Sequence, residues 1–210
     1  SSIFSTDVIT TLTSTNGQVT FDAAIHNAQS TAPQSLTINA LGDVLFSDAV
    51  GELTNSGGLG DLVINTSAVT TFAKSVDAAS LKTDVAGSGI TVGAAGNKVV
   101  IQGGSITTSG DQHFAELVEL DKTNVSTDVI TTLTSTNGKV TFDAAIQNAQ
   151  STAPQSLTVV AANDVLFSDE MGEGTSALGD VVINTPAVTT FAKSVDAASL
   201  KTDVAGSGIT

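Results

Sequence analysis

The chain has 210 residues and a net charge of −14 at pH 7, because 21 acidic side chains face only seven lysines and no arginine. Such a surface repels nucleic acid and anionic membranes, which excludes the usual electrostatic basis of DNA or RNA binding. The absence of cysteine excludes disulfides and thiolate metal sites, and no apolar run approaches the roughly 18 residues that predict a membrane-spanning helix.

A long internal repeat dominates the sequence. Residues 5–48 return as residues 126–169 with six differences in 44 positions, and residues 61–91 return as residues 180–210 with two differences in 31. A tandem repeat of this kind is typical of a solenoid, in which each unit buries its apolar side against the next. We expect one continuous solenoid, with a first unit over residues 1–125 that includes part of a preceding coil, and a second, truncated unit over residues 126–210.

The composition predicts strands. Valine, threonine and isoleucine favour strands, while glycine, asparagine and aspartate supply turns. Helical spacing of apolar residues is not sustained anywhere, although residues 76–81 could form one helical turn. We therefore expect an all-β fold.

Phenylalanine marks a finer period inside the repeat. Seven of the eight phenylalanines recur at intervals of 24 to 28 residues, apart from one interval of 42 in which the aliphatic run Val99–Ile101 can take the phenylalanine place. They are Phe21, Phe46, Phe72, Phe114, Phe142, Phe167 and Phe191. This spacing predicts coils of about 25 residues, stacked as a parallel β-helix (β-solenoid) with a ladder of phenylalanine and aliphatic side chains inside. The 121-residue repeat then spans four or five coils.

Positions after each phenylalanine carry two further expectations. The fourth residue after phenylalanine is always apolar, which predicts that it also points inward. The second residue is often charged, which predicts a bend that leaves it exposed. If coils align at phenylalanine, Asp48 should pair with Lys74, and Asp169 with Lys193, in the neighbouring coil.

The pattern resembles a known family of proteins. The segments LTI-x-A-x-G-D-V-x-F, VTFDAAI and SITTSGDQ-x-F are similar to the repeats of filamentous haemagglutinin-like exoproteins. These are bacterial adhesins, exported by two-partner secretion and folded as right-handed parallel β-helices. The resemblance implies a secreted or cell-surface protein, and it carries over no catalytic residues.

Candidate sites are few. Asp43, Asp48 and Asp61 could contribute oxygen ligands to Ca²⁺, or could cap turns by accepting backbone hydrogen bonds. His26 is replaced by glutamine in the second copy, which argues against an obligatory metal or catalytic role, and His113 has no second copy. We expect no catalytic residue and no required cofactor.

These observations favour a structural or adhesive segment, acting as a rigid stalk or self-associating fibre rather than as an enzyme. Its partners would be neighbouring repeats and an unidentified surface receptor. Residues 1–4 and 204–210 have no partner in the sequence, which predicts end-to-end association or fraying.

Two alternatives stay open. Parallel β-helices include polysaccharide lyases and hydrolases, although this chain has no arginine and only scattered lysines. Threonines at positions 11, 13 and 15, repeated at 132, 134 and 136, could instead form part of an ice- or cation-binding face, or could simply occupy exposed strands.

Overall fold

A computed structural model of the protein describes residues 8–28, 32–51, 58–90, 96–122, 130–149 and 153–203. These residues form nineteen β-strands and one short 3₁₀ turn, Gly174–Ser176. The strands are β1 (Ile9–Ser14), β2 (Val19–Phe21), β3 (Ser35–Ala40), β4 (Val44–Phe46), β5 (Leu59–Thr66), β6 (Val69–Phe72), β7 (Val76–Thr83), β8 (Lys98–Ile101), β9 (Ser105–Thr108), β10 (Gln112–Phe114), β11 (Leu117–Leu120), β12 (Ile130–Ser135), β13 (Val140–Phe142), β14 (Ile146–Asn148), β15 (Ser156–Ala161), β16 (Val165–Phe167), β17 (Leu178–Asn184), β18 (Thr189–Phe191) and β19 (Ala197–Thr202).

Every pairing between these strands is parallel, which confirms the predicted all-β parallel solenoid. Residues 76–81, where a helical turn was the alternative, belong to strand β7. Within the described ranges, no helix has the length and apolar character needed to cross a bilayer.

The coil has three faces. Face 1 contains eight strands in the order β1-β3-β5-β7-β10-β13-β16-β18, and face 2 is the six-stranded sheet β2-β4-β6-β8-β11-β14. Face 3 contains β7-β9-β12-β15-β17-β19. Strand β7 belongs to two faces, because Val76 pairs with Ile106 of β9 and Leu81 pairs with Gln112 of β10. Faces 1 and 3 are therefore one hydrogen-bonded sheet that turns a corner.

Stacked side chains fill the interior. Phe21, Phe46 and Phe72 form one column with ring centroids 5.1 and 5.2 Å apart. Phe114, Phe142, Phe167 and Phe191 form another, with each step 5.1 Å. The predicted stacking of phenylalanine inside the coils is confirmed, and Ile101 lies directly below Phe72 as the expected aliphatic substitute.

The two phenylalanine columns do not form a single ladder. The first runs along face 2 and the second along face 1, because the two copies of the repeat occupy different faces. Strands β1 and β3 lie on face 1, whereas their duplicates β12 and β15 lie on face 3. Between β1 and β12 the chain completes four coils and two-thirds of a fifth. The second copy is therefore displaced by one face around the axis.

The displacement arises because the 121-residue repeat is not a whole number of coils. Four coils from Thr11 to His113 take 102 residues, and the remaining 19 lead on to Thr132 on face 3. Most coils take about 25 residues, but the coil between paired Leu62 and Leu81 takes only 19, and the next, from Leu81 to Gln112, takes 31. The longer coil includes residues 84–97, which lie between β7 and β8. The predicted division at residue 125 stays a prediction, since the sheets continue from one copy into the next.

Candidate functional site

The most unusual chemistry lies at the corner between faces 1 and 2, where β7 ends. Asp84 follows Thr83 with φ of 52°, in the left-handed region that aspartate tolerates better than most residues. Its N–H donates to Ile64 O at 2.8 Å, and its Oδ1 accepts from Thr66 N–H at 2.9 Å. Asp84 thereby ties the start of the long loop to the coil before it.

The same turn occurs in the second copy. Asp203 has φ of 51°, its N–H donates to Ile183 O at 2.8 Å, and Thr185 N–H donates to its Oδ1 at 3.4 Å. The left-handed aspartate is thus a property of the repeat. Two further polar groups, Asn97 and Glu116, lie around Asp84.

Both of these groups have an unpaired oxygen. Asn97 Nδ2 donates to Asp84 Oδ2 and to Thr66 O, but Asn97 Oδ1 has no hydrogen-bond partner. Glu116 is only 5% exposed; its Oε2 accepts from Thr83 Oγ1 at 2.8 Å and its Oε1 has no partner. A buried carboxylate with one unpaired oxygen is energetically unfavourable when ionised.

The pKa of Glu116 is accordingly raised to about 7. Burial is the largest cause and the negative charge of Asp84 adds to it, while the hydrogen bond from Thr83 opposes both. Burial also raises the pKa of Asp84, although the hydrogen bonds from Thr66 and Asn97 oppose this. Glu116 is therefore close to half protonated at neutral pH. Because Glu116 is buried between successive coils, the protonation of its carboxyl group makes the packing of these coils depend on pH.

The burial of Glu116 corrects an expectation. The second residue after phenylalanine was expected to be exposed, as it is at Asp48, Lys74 and Lys193. Glu116 turns inward instead because Thr83, in the preceding coil, supplies a hydroxyl donor for it. Nothing in the sequence around Glu116 indicates this burial, because Thr83 is 33 residues away.

The three calcium candidates lie apart. Asp43 Oδ1 accepts from Val69 N–H at 3.1 Å, Asp48 Oδ1 from Ala49 N–H at 2.8 Å, and Asp61 Oδ1 from Ser80 Oγ at 2.6 Å. Equivalent bonds recur in the second copy at Asp164, Asp169 and Asp180. Each carboxylate therefore caps its own turn or joins adjacent strands. In the described part of the chain, no three acidic or histidine side chains come together as a metal-binding group.

The histidines lie on the surface. His26 is exposed after β2, and His113 Nε2 lies 2.7 Å from Asp143 Oδ2 in the next coil. The His113–Asp143 contact joins two outward positions of face 1.

The two predicted charge pairs behave differently. Lys193 Nζ lies 2.6 Å from Asp169 Oδ1, which confirms that pair. Lys74 and Asp48, both within the described ranges, form no ion pair, so that half of the prediction is wrong. The coil above the lysine, which carries the aspartate, is equivalent in both copies. Lys74 in addition packs against the Gly103–Gly104 turn of the coil below it.

The threonine rows do not form a wide threonine plane. Thr11 is followed down face 1 by Thr37, Val63 and Lys82. Thr132 has Ser105 above it, and Thr158, Val182 and Lys201 below it. The outward columns thus change chemistry from coil to coil.

Comparison of the chain with protein-family models, with curated proteins and with solved structures finds no significant match. The fold and the side-chain geometry therefore carry the functional argument.

Proposed function

We propose that the chain is a segment of a rigid stalk or fibre in a large secreted or bacterial cell-surface protein, of the filamentous haemagglutinin-like type. The role is mechanical rather than catalytic. The stack of coils sets the distance between whatever lies at its two ends, and weak sites on its surface add through multivalency.

The observation that carries this proposal is the continuity of the hydrogen-bonded sheet across both copies. Face 1 holds eight consecutive strands, and within each of the two phenylalanine columns the ring centroids follow at steps of 5.1 to 5.2 Å. Each coil is hydrogen-bonded to its neighbours along the axis, so bending requires many bonds to lengthen together. An unbroken parallel stack is a suitable structure for a spacer.

Length is the decisive measurement. Parallel strands are about 4.8 Å apart, so each added 121-residue unit of four and two-thirds coils should lengthen the rod by about 22 Å. Chains with one, two and three additional units can be compared by small-angle X-ray scattering, with the present chain as reference. A linear increase in maximum dimension at constant cross-section supports the proposal. Growth in cross-section, as in a compact globule, contradicts it.

Self-association and location need separate tests. Light scattering across protein and salt concentration should show particle growth as salt screens the net charge of −14. If the particles stay monomeric at all salt concentrations, the chain does not form a fibre by itself, and only the stalk role is supported.

Protease treatment of intact source cells should cleave the protein if it is displayed outside, while protection until lysis would contradict that location.

A further inference from the structure

Three successive coils meet at the corner between faces 2 and 3 and line a pocket of about 420 Å³. The upper coil supplies Lys74 and Ser75, the middle coil supplies Gln102, Gly103 and Gly104, and the lower coil supplies Lys122. Backbone bonds fix the corner, because Gln102 N–H and Gly103 N–H both donate to Phe72 O, at 2.9 and 3.0 Å. The pocket volume falls within the range of about 300 to 1,000 Å³ that is usual for small-molecule sites.

The glycines give this corner its shape. A Cβ on Gly103 would lie 2.2 Å from Lys74 O, so a larger residue cannot fit below the upper coil. A Cβ on Gly104 would lie 3.1 Å from Lys122 Nζ, which shows that the amine of the lower coil reaches up to the middle one. The two glycines therefore allow lysines from coils above and below to line one pocket.

Neither lysine amine has a partner in the part of the chain that the structure describes. Among the described residues, neither Lys74 nor Lys122 forms an ion pair or a hydrogen bond, whereas Lys98 and Lys193 are paired with Glu119 and Asp169. Burial lowers the pKa of Lys122, as expected for an amine held against protein without a counter-charge. Two of only seven lysines in this acidic chain thus line one pocket.

The repeat supplies an internal comparison. Lys193 is the equivalent of Lys74, and Asp169 is the equivalent of Asp48. Lys193 bonds to Asp169, but Lys74 does not bond to Asp48 and lines the pocket instead. The duplicated positions are Lys74 and Asp48, so the comparison concerns this lysine and this carboxylate alone.

We propose that this pocket binds a compact oxyanion with two negative charges, of the phosphate type, between the ammonium groups of Lys74 and Lys122. Lysine binds phosphate as a point charge, through charge-assisted hydrogen bonds. The Gln102 amide and the Ser75 hydroxyl line the same pocket and can donate to further oxygens.

The charge of −14 does not prevent this. At physiological ionic strength the Debye length is about 8 Å, so distant carboxylates are largely screened and the two lysines dominate the local potential. One acidic group near the pocket, Asp121, accepts a hydrogen bond from Gln102 Nε2 at 3.4 Å. If the Gln102 side-chain amide rotates towards a bound anion, it donates to an oxygen of the anion instead of to the Asp121 carboxylate.

Nuclear magnetic resonance can test the site on the intact chain. Isotope-labelled protein is titrated at pH 7.5 and constant ionic strength with inorganic phosphate, with glycerol 3-phosphate and with glycerol as the neutral probe. We expect saturable shifts at the amides of Gly103 and Gly104 for both phosphates and none for glycerol, together with a rise in the pKa of Lys122. Tighter binding of the ester assigns a substituted phosphate as ligand, and tighter binding of inorganic phosphate assigns the free anion.

Three variants distinguish binding of phosphate in this pocket from non-specific attraction of phosphate to surface lysines. Lys122→Met and Lys74→Met should each weaken binding about tenfold, because each removes one charge-assisted contact. Lys193→Met, at the paired equivalent position, should leave the affinity unchanged, and the same spectra report whether each variant is folded. Shifts that do not saturate, or equal losses in all three variants, would overturn the proposal.

Discussion

Thr83 Oγ1 donates a hydrogen bond of 2.8 Å to Glu116 Oε2, and this bond joins two coils that are 33 residues apart in sequence. It is made inside the stack, where the other oxygen of Glu116 finds no donor. The stability of this corner therefore depends on whether Glu116 carries a proton.

The first prediction concerns pH. The pKa of Glu116 is about 7 in the folded protein and about 4.5 ordinarily, so the folded chain keeps a proton that the unfolded chain loses between these values. The contribution of protonated Glu116 to the free energy of unfolding is fully present below about pH 4.5. It falls as the pH rises and is lost above about pH 7. The total loss is about 3 kcal/mol. Glu116→Gln, which cannot ionise, should remove this dependence and be more stable than wild type at pH 8.

Urea unfolding at pH 5 and pH 8 measures that difference directly. The exposed Glu173 offers a control, since Glu173→Gln should keep the wild-type response to pH. An unchanged response in Glu116→Gln would show that the buried carboxyl does not govern this transition.

The second prediction concerns the phenylalanine columns. Phe46 is 1% exposed and stacks between Phe21 and Phe72. Phe46→Ala should cost about 3–5 kcal/mol of unfolding free energy, because it leaves a cavity between two rings. Phe21→Ala should cost less, because Phe21 is only half-buried and has one stacked neighbour among the described residues. Hydrogen exchange of the β4 amides measures the local effect, and equal losses in the two variants would contradict the interior column.

The third prediction uses one glycine in two settings. Gly17 and Gly138 are equivalent in the repeat, but a Cβ on Gly138 would lie 2.4 Å from Gly110 C, whereas on Gly17 the nearest atom would be Ser14 Oγ at 3.8 Å. Gly138→Ala should destabilise by about 1–3 kcal/mol through this backbone clash. Gly17→Ala should change the midpoint of thermal unfolding little. Similar shifts in both would mean that the Gly110 coil does not pack closely on Gly138.

The fourth prediction concerns the confirmed surface pair. The hydrogen bond from Lys193 lowers the pKa of Asp169, and the N–H of Glu170 adds to this. Lys193→Met should raise the Asp169 pKa part of the way towards its ordinary value of 3.8, since the backbone bond remains. Carboxyl-carbon resonances recorded across acidic pH give this pKa. Lys74→Met serves as the control, and a pKa of Asp169 that stays low without Lys193 would rule out the pair as its cause.

Much of the fold could be predicted from periodic residues. The spacing of Phe21, Phe46 and Phe72 gave the coil length and the interior column, because a stacked coil must return a large apolar side chain to the same place. Apolar Val50 and Val76 four residues later lie inside for the same reason.

The change of face could not be predicted in this way. It depends on the exact length of each coil, and lengths that vary between 19 and 31 residues leave the sequence period too imprecise to fix the face. The burial of Glu116 was also missed, because its hydrogen-bond donor Thr83 is 33 residues away in sequence. The pocket at Lys74 was equally hidden, since its lysines are 48 residues apart in sequence and come from non-adjacent coils.

The displacement of the second copy by one face has a consequence for how a long array would present itself. If further copies followed the same rule, a given side chain would point in three directions in turn and would return to its first direction only after three copies and 14 coils, about 67 Å along the axis. A flat receptor layer beside such a fibre would then meet the same epitope at every third copy. A fibre surrounded by receptors, as in a bundle, could be contacted on all sides.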